Sequence, residues 1–366
     1  MAAMLIIADD LTGAAEIGGI ALRYNLTVDI VHRLDQNAMV DVLVLNTNTR
    51  SLATEQVVPH LESLFGDLDR TVFGFIYLKF DSALRGHIAR ELVFYKDYFG
   101  FESAVFCPVN PALGRVIKNG HYIVNGKWIN QTSFSDDPEF PVNESQVLAI
   151  LGTPEWKLVS DFSTIYVETG IVVPEIENTL QLEVLVRNIS DSKLLAGSAA
   201  FFNLLLGEKF QLYQDQTEKH VVLKYPLLYV CGSAHEDNNN RIAEVNPEYV
   251  VYLDERDGIA KELVQKLEAN TKAVFAVSPS LRGSAGEIRQ TMAEVVAEVY
   301  DRVTIKDLVI EGGATSYEIL MALGIEAMTP VQEIQPGLIK SKVKDKELFV
   351  TLKPGSYPWT NELWAF

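Results

Sequence analysis

The chain has 366 residues, of which 48% are apolar, which is enough for more than one packed core and is typical of a globular protein. Its 49 acidic and 31 basic residues give a net charge of −18, which argues against a nucleic-acid or anionic-membrane partner. Two cysteines make no disulfide framework, and no run approaches the roughly 20 apolar residues of a membrane span. We therefore expect a protein of the reducing cytoplasm.

Apolar runs alternate with amphipathic stretches through the first half of the chain. This alternation predicts βαβ units and a mostly parallel sheet. A loop-rich region follows at residues 108–141, where interspersed Tyr122 and Trp128 favour an ordered hairpin over a ligand cleft. The predicted strands are 4–8, 28–31, 42–45, 72–78 and 103–107, and the predicted helices are 12–24, 54–65 and 84–98.

A polar segment at residues 209–224 separates this series from a second one. We place the domain boundary there, which predicts domains over residues 1–210 and 225–366. The expected fold class is α/β, with two α/β domains whose mostly parallel sheets surround a shared cleft. In the second domain the predicted strands are 227–231, 249–253, 273–277 and 307–310, and the predicted helices are 258–267 and 285–300.

Two polar turns, residues 8–14 and 79–86, each follow an apolar strand of the first domain. Ligands bind at the carboxyl ends of strands in an open parallel sheet, so we expect both turns to face one cleft. Together they supply carboxylates, hydroxyls, a lysine and an arginine. Such a set suits a polyhydroxylated anionic small molecule, and it also suits phosphoryl transfer.

The charged residues of these turns have both functional and structural interpretations. Asp10 or Asp81 is the candidate base for a reacting hydroxyl, and Arg50 and Arg85 are candidates for binding a carboxylate. Lys79 offers a point charge for a carboxylate or a transferring phosphoryl group. Alternatively, either aspartate could cap the helix that follows it, and Arg85 could pair with a neighbouring carboxylate.

The second domain contains small-residue turns at 231–233, 308–316 and 353–356. Gly312 and Gly313 follow an apolar strand, where glycine allows close approach of the backbone and a helix N-terminus stabilises negative charge. This makes the turn a candidate phosphate cradle. A glycine pair before a helix is also a common simple connection, and the chain has neither a Walker A loop nor a G-x-G-x-x-G fingerprint.

The first half contains four ordered motifs, namely residues 8–14, residues 79–86, residues 111–115 with 119–120 and 124–126, and residues 132–138 with 141–142. In their order and spacing these motifs resemble those of the four-carbon acid sugar kinases, formerly a domain of unknown function. The second half is similar more loosely, through residues 312–316, 323–324, 336–337 and 353–355.

That family phosphorylates four-carbon sugar acids such as threonate, erythronate and 3-oxo-tetronate, using ATP and a divalent ion. The resemblance implies a sugar-acid-binding first domain and a second domain that binds ATP with Mg²⁺, and it leaves the metal ligands unassigned. The acid-binding residues that it implies are Asp10 with the adjacent Asp9, Arg50, Lys79, Phe80, Asp81 and Ser82, and the nucleotide-binding residues are Ser233, Gly312, Gly313, Ala314, Thr315 and Gly355.

The chain departs from the family mainly on the nucleotide side. Ala314 stands where the family often has an acidic residue, and residues 353–358 contain fewer glycines than the usual tail. A sugar-acid sensor that has lost efficient nucleotide use is therefore the alternative to a kinase. A phosphatase of the haloacid-dehalogenase type would need Asp-x-Asp, whereas this chain has adjacent aspartates. The sequence leaves open which acid and stereoisomer bind, whether C3 is a ketone, which aspartate is the base, and whether the chain forms a homodimer.

Overall fold

The computed structural model describes residues 3–35, 37–66, 68, 70–137, 139–165, 167–190, 192–213, 220–232, 236–355 and 359–366. The chain divides into two compact units, one of Met1–Thr27 and Arg33–Tyr213 and the other of Val28–His32 and Gln214–Phe366. The strands are β1 (Met4–Ala8), β2 (Val28–Val31), β3 (Val42–Asn46), β4 (Phe75–Lys79), β5 (Ser103–Cys107), β6 (Arg115–Lys118), β7 (His121–Val124), β8 (Lys127–Trp128), β9 (Lys157–Val159), β10 (Gly170–Pro174), β11 (Leu194–Gly197), β12 (Leu227–Cys231), β13 (Val250–Leu253), β14 (Lys272–Val277), β15 (Asp307–Glu311), β16 (Ala327–Gln335), β17 (Leu338–Val343) and β18 (Phe349–Lys353). The helices are α1 (Leu11–Arg23), α2 (Val57–Phe65), α3 (Ile88–Tyr98), α4 (Val147–Leu151), α5 (Thr179–Asn188), α6 (Ala199–Lys209), α7 (Glu236–Ala243), α8 (Ile259–Asn270), α9 (Ala285–Tyr300) and α10 (Gly313–Ala322).

The first unit is built on a parallel sheet in the order β3-β1-β4-β11-β5-β10-β9. Every residue of β1, β3 and β5 is buried, as expected for parallel strands that are covered on both faces. This arrangement explains why these strands are unbroken apolar runs in the sequence. The predicted α/β class is confirmed.

The order of this sheet reverses at β1, because β3 lies on one side of β1 and β4 lies on the other. In α/β sheets the ligand crevice lies at such a switch point, outside the carboxyl ends of the strands. Ala8 pairs with Lys79 in register, and the Asp9 backbone N–H donates to the Lys79 carbonyl at 3.3 Å. The two predicted turns therefore begin side by side.

The loop-rich region after β5 contains the predicted hairpin. Strands β6, β7 and β8 form a small antiparallel sheet. Its attachment to the unit includes a hydrogen bond from the Ile117 backbone N–H to the Ile176 carbonyl at 2.9 Å. The hairpin is thus an ordered part of the first unit, as the sequence predicts.

The second unit contains a parallel sheet in the order β13-β14-β12-β15-β18, continued by antiparallel β17, β16 and β2. Its order reverses between β12 and β15, so their carboxyl ends form the corresponding switch point. Strand β2 is predicted correctly as a strand, but it groups with the second unit, where Ile30 pairs with Met328. Trp359 and Trp364 near the C-terminus pack on the buried ring of Tyr229.

The predicted helix over residues 84–98 is wrong at its start, since α3 begins only at Ile88. Leu84 has a φ of 63° and Gly86 a φ of 102°, and neither is compatible with a right-handed helix. The amphipathic pattern of residues 84–98 therefore begins in an irregular turn, and the helix itself starts only after that turn.

Candidate active site

Asp10 lies in the first turn and is the N-cap of α1. Its Oδ1 accepts the Gly13 backbone N–H at 2.8 Å and its Oδ2 accepts the Thr12 hydroxyl at 2.5 Å. The capping role that the sequence leaves open for Asp10 is therefore present. A Cβ at position 13 would lie 2.6 Å from Asp10 Oδ1, so a larger residue there would have to displace the capping carboxylate.

Arg50 neutralises both aspartates of this turn. Its Nε and Nη2 donate to Asp9 at 3.0 and 2.6 Å, and its Nη1 lies 2.9 Å from Asp10 Oδ2. Burial raises the pKa of Asp9 to about 6 in spite of Arg50. Burial also favours the neutral form of Asp10, but Arg50, Lys79 and two hydrogen bonds outweigh it and lower the Asp10 pKa.

The second turn contains its own charge network. Asp81 Oδ2 accepts Arg85 Nε at 2.6 Å, and Arg85 Nη1 donates to Asp137 at 3.1 Å. Burial opposes ionisation of Asp81, but Arg85 and Arg50 together hold its pKa well below the usual range. Asp81 does not cap α3, whereas the predicted pairing of Arg85 with a carboxylate is present.

The two turns meet at Gly86. A Cβ on this glycine would lie 3.1 Å from Asp9 Oδ2 and 3.5 Å from Arg50 Cγ. Buried Lys79 adds a cation beside them, with its Nζ 3.3 Å from Glu16. The structure thus brings the predicted charged residues together at the carboxyl ends of β1 and β4.

The hairpin contributes side chains to the same cluster. Arg115 Nη1 donates to the Ser82 hydroxyl at 2.5 Å, and the Tyr122 hydroxyl donates to the Ser82 carbonyl. Two guanidinium groups lie near the ring of Phe134, with Cζ of Arg115 5.3 Å and Cζ of Arg85 5.7 Å from its centre. Phe80 differs from its neighbours, because its ring is buried in the core against Phe106.

Sequence reasoning assigned no functional role to Glu91, Asp137 or Phe134. Glu91 is buried and accepts the Thr49 hydroxyl at 2.9 Å, directly beside the turn that carries Arg50. Burial, together with nearby Asp9, raises the pKa of Glu91 well above its ordinary value. Asp137 and Phe134 lie inside the matched motif 132–138, which is a signal that could have identified them. Glu91 has no comparable signal, because a glutamate on an amphipathic helix normally faces solvent.

The second unit brings its small-residue turns together at its own switch point. Gly312 has a φ of 97° and precedes α10 without a side-chain cap, and its N–H donates to the Lys353 carbonyl at 2.9 Å. A Cβ at Gly232 would lie 2.5 Å from the Thr315 hydroxyl oxygen. The turns after β12, β15 and β18 are therefore neighbours.

Several backbone N–H groups in the first turn of α10 have no partner within the helix, which is the usual basis of an anion site. Gly313, Ala314 and Thr315 form this first turn. Gly355 lies two residues beyond β18, and Ser233 lies outside the described residues.

Among the residues that the structure describes, no group of three or more histidine, cysteine, aspartate and glutamate side chains is arranged to hold a metal ion. None of the described helices combines the length and apolar character needed to cross a bilayer.

The fold is that of a two-unit α/β protein, with a cluster of charged side chains at the switch point of one unit and neighbouring small-residue turns at that of the other. Residues 4–205 match the model of a sugar-binding N-terminal domain, and residues 229–357 match that of a nucleotide-binding C-terminal domain. The first match alone covers more than half of the chain. The chain belongs to the four-carbon acid sugar kinase family, which confirms the resemblance seen in its motifs.

Individual relatives agree with this assignment along almost their whole length. The chain is 23% identical to a 3-oxo-tetronate kinase of Brucella melitensis, over 96% of this chain and 92% of the relative. It is also 23% identical to a D-threonate kinase of Salmonella typhimurium, over 97% and 95% of the two chains. A solved Haemophilus influenzae structure shares the fold with a TM-score of 0.71 at 19% identity, covering 98% of both chains. The protein is accordingly an enzyme of the phosphotransferase class.

Proposed function

We propose that this protein transfers the γ-phosphate of ATP to a hydroxyl, the terminal one, of a four-carbon sugar acid of the threonate, erythronate or 3-oxo-tetronate type. The observation that carries the proposal is the joined charge cluster at the carboxyl ends of β1 and β4. The names of the relatives support the choice of a four-carbon acid.

In this proposal the first unit binds the acid through the two turns. Asp9, Asp10 and Arg50 form one side of the binding site, and Lys79 to Ser82 with Arg85 form the other. Carboxylates accept the hydroxyl hydrogens of a polyol, and cations balance the charge of the acid. Phe80 takes part through its backbone position rather than its ring.

Asp81 is the better-placed of the two candidate bases. Both carboxylate oxygens of Asp10 accept hydrogen bonds, whereas Asp81 Oδ1 accepts none from the described residues. A free carboxylate oxygen can hold the attacking hydroxyl by accepting its hydrogen. The low pKa of Asp81 keeps it ionised, and a loose phosphoryl-transfer transition state needs orientation more than a strong base.

The second unit binds ATP in the proposal, with its phosphates at the N-terminus of α10. Ser233, Gly355 and the turn at residues 312–315 would surround the nucleotide. Mg²⁺ would arrive on the phosphates, because this ion usually keeps only one or two protein carboxylates as ligands. When bound, it supplies charge neutralisation at the phosphate oxygens.

The proposed transfer forms one bond and breaks one. The hydroxyl oxygen of the acid bonds to the γ-phosphorus while the bond from that phosphorus to the β-phosphate oxygen breaks, which releases ADP. The hydroxyl proton passes to Asp81. Lys79, whose Nζ lies 3.3 Å from Glu16, would balance charge on the transferring group.

The test is ADP formation with ATP, Mg²⁺ and a panel of threonate, erythronate and 3-oxo-tetronate stereoisomers, with product identified by mass. Calorimetry on the same panel measures binding without turnover. Phosphorylation of at least one acid is the expected result. Tight binding of an acid with no turnover on the whole panel would instead favour the sensor, to which Ala314 and the glycine-poor tail point.

A further inference from the structure

Four cationic side chains gather at the carboxyl ends of β1 and β4. Three of them already face carboxylates, namely Arg50 with Asp9 and Asp10, Arg85 with Asp81 and Asp137, and Lys79 with Glu16. The fourth, Arg115, forms no ion pair with any residue that the structure describes. An anionic ligand would therefore meet Arg115 without displacing a protein carboxylate.

The guanidinium of Arg115 is held in place although it lacks a carboxylate. Its Nη1 donates to the Ser82 hydroxyl at 2.5 Å, and its Cζ lies 5.3 Å from the centre of the Phe134 ring. The backbone of Arg115 is fixed as well, since its N–H donates to the Asn110 carbonyl at 3.0 Å and its own carbonyl accepts the Asn110 N–H at 2.8 Å. An arginine positioned in this way loses little side-chain entropy when it binds a ligand.

Most of the hydrogen-bonding capacity of Arg115 is left for a ligand. A guanidinium has five N–H donors, and the described part of the chain uses one of them here. By contrast, all three nitrogens of Arg50 are engaged by Asp9 and Asp10. Arginine with an open pair of donors is the side chain best suited to a planar carboxylate.

We propose that Arg115 binds the carboxylate of the sugar acid and thereby sets the preference for an acid over a neutral polyol. This role rests on the proposed function and deepens it by naming the residue that binds the carboxylate end of the substrate. It also orients Ser82: because Arg115 donates to the Ser82 oxygen, the Ser82 hydrogen is free to donate to a substrate oxygen. The carboxylate end then lies beside the hairpin, and the hydroxyl end lies beside Asp81.

The experiment compares the acid with its uncharged amide in wild type, Arg115→Met and Arg115→Lys. Loss of charged hydrogen bonds should raise KM and Kd for the acid by about tenfold to a hundredfold in Arg115→Met. KM and Kd for the amide and for ATP should change less than about threefold, so the variant should lose its preference for the acid over the amide. The KM and Kd of Arg115→Lys for the acid should lie between those of wild type and Arg115→Met, since lysine keeps the charge but not the paired donors.

Arg90→Met is the matched control, because Arg90 is an exposed arginine on α3 of the same unit. It should behave as wild type. An equal loss for acid and amide in Arg115→Met, or no loss for either, would overturn the role of Arg115 while leaving the kinase proposal intact. Acid binding that depends on Arg115 without any turnover would support this role and contradict the kinase proposal. Failure of wild type to bind any acid would overturn both.

Discussion

Arg50 balances the charge of the first turn. It is the shared partner of Asp9 and Asp10, and its own side chain is mostly buried. Arg85 has the corresponding position in the second turn, between Asp81 and Asp137. In the proposed function, both arginines would act on an anionic substrate partly by neutralising the carboxylates that would otherwise repel it.

Replacing either arginine should weaken binding of the acid. In Arg50→Ala and Arg85→Ala the uncompensated carboxylates remain, so KM for the acid should rise about tenfold or more while KM for ATP stays nearly constant. Arg302→Ala, which removes an exposed arginine paired with Glu298, serves as the control. Steady-state kinetics with the acid varied would contradict the assignment if both variants kept the wild-type KM.

Asp9 gives the site a pH dependence. Burial places its pKa near 6, above the ordinary value of 3.8, so Asp9 gains a proton as the pH falls from 7 to 5. This protonation removes a negative charge beside the substrate, and affinity for the anionic acid should rise on acidification, by at most about tenfold per pH unit. Calorimetry at pH 7 and pH 5.5 measures the change, which Asp9→Asn should abolish. If Asp9→Asn showed the same change of acid affinity between pH 7 and pH 5.5, the pH dependence would belong to another group.

In the proposed function, nucleotide binding depends on the start of α10. Gly313 is its first residue and follows Gly312, whose φ of 97° favours glycine. Gly313→Val should abolish ATP binding, because its side chain obstructs approach to the backbone N–H groups, while the acid still binds. Gly286→Val in the first turn of α9 is the control, since a Cβ there meets nothing within 4 Å. ATP binding by a folded Gly313→Val protein would show that the turn is only a connection.

The end of β11 shows how tightly the first sheet is packed. Gly197 has a φ of 149°, and a Cβ at this position would overlap the Cys107 carbonyl of the neighbouring strand. Gly197→Ala should therefore lower the free energy of unfolding by more than about 2 kcal/mol. Gly74→Ala should be nearly neutral, since its nearest contact would be 3.7 Å away. Chemical denaturation of both variants makes the comparison, and equal stabilities would contradict it.

Elements marked by a continuous apolar run or by a capping box were predictable from the sequence. The bounds of β1, β5, β12 and α9 agree with the predicted ranges, because each strand is a continuous apolar run and α9 has a capping box at Ser284 and Glu287. The start of α3 was not predictable in the same way. Its hydrophobic periodicity continues through Leu84, and only the tertiary contacts of the turn impose a positive φ there.

For the molecule as a whole, the sequence predicted two α/β halves but not how β2 is used. Residues 28–31 read as a strand of the first series, yet they pair antiparallel with β16 in the second unit. Strand partners are set by contacts far apart in the chain, which a local pattern does not contain. The sequence predicted that Asp10, Arg50 and Asp81 lie near one another, and the structure brings them together, while their roles stay a prediction. Pairings such as Arg85 with Asp137 depend on the path of a long loop.

The central claim is that the two turns of the first unit hold the hydroxyl that accepts the phosphoryl group, and that Asp81 accepts the proton of this hydroxyl. The most direct measurement is turnover with ATP and the preferred acid, together with acid affinity by calorimetry, for wild type, Asp10→Asn and Asp81→Asn. We expect Asp81→Asn to lower kcat by about 10²–10⁴-fold with acid Kd changed less than about threefold, because general-base catalysis contributes on that order. Asp10→Asn should mainly lose acid affinity although it removes a negative charge, because an amide nitrogen in place of Oδ2 would face the Arg50 and Thr12 donors and the turn would lose its fixed geometry. Full wild-type turnover in both variants would contradict the account.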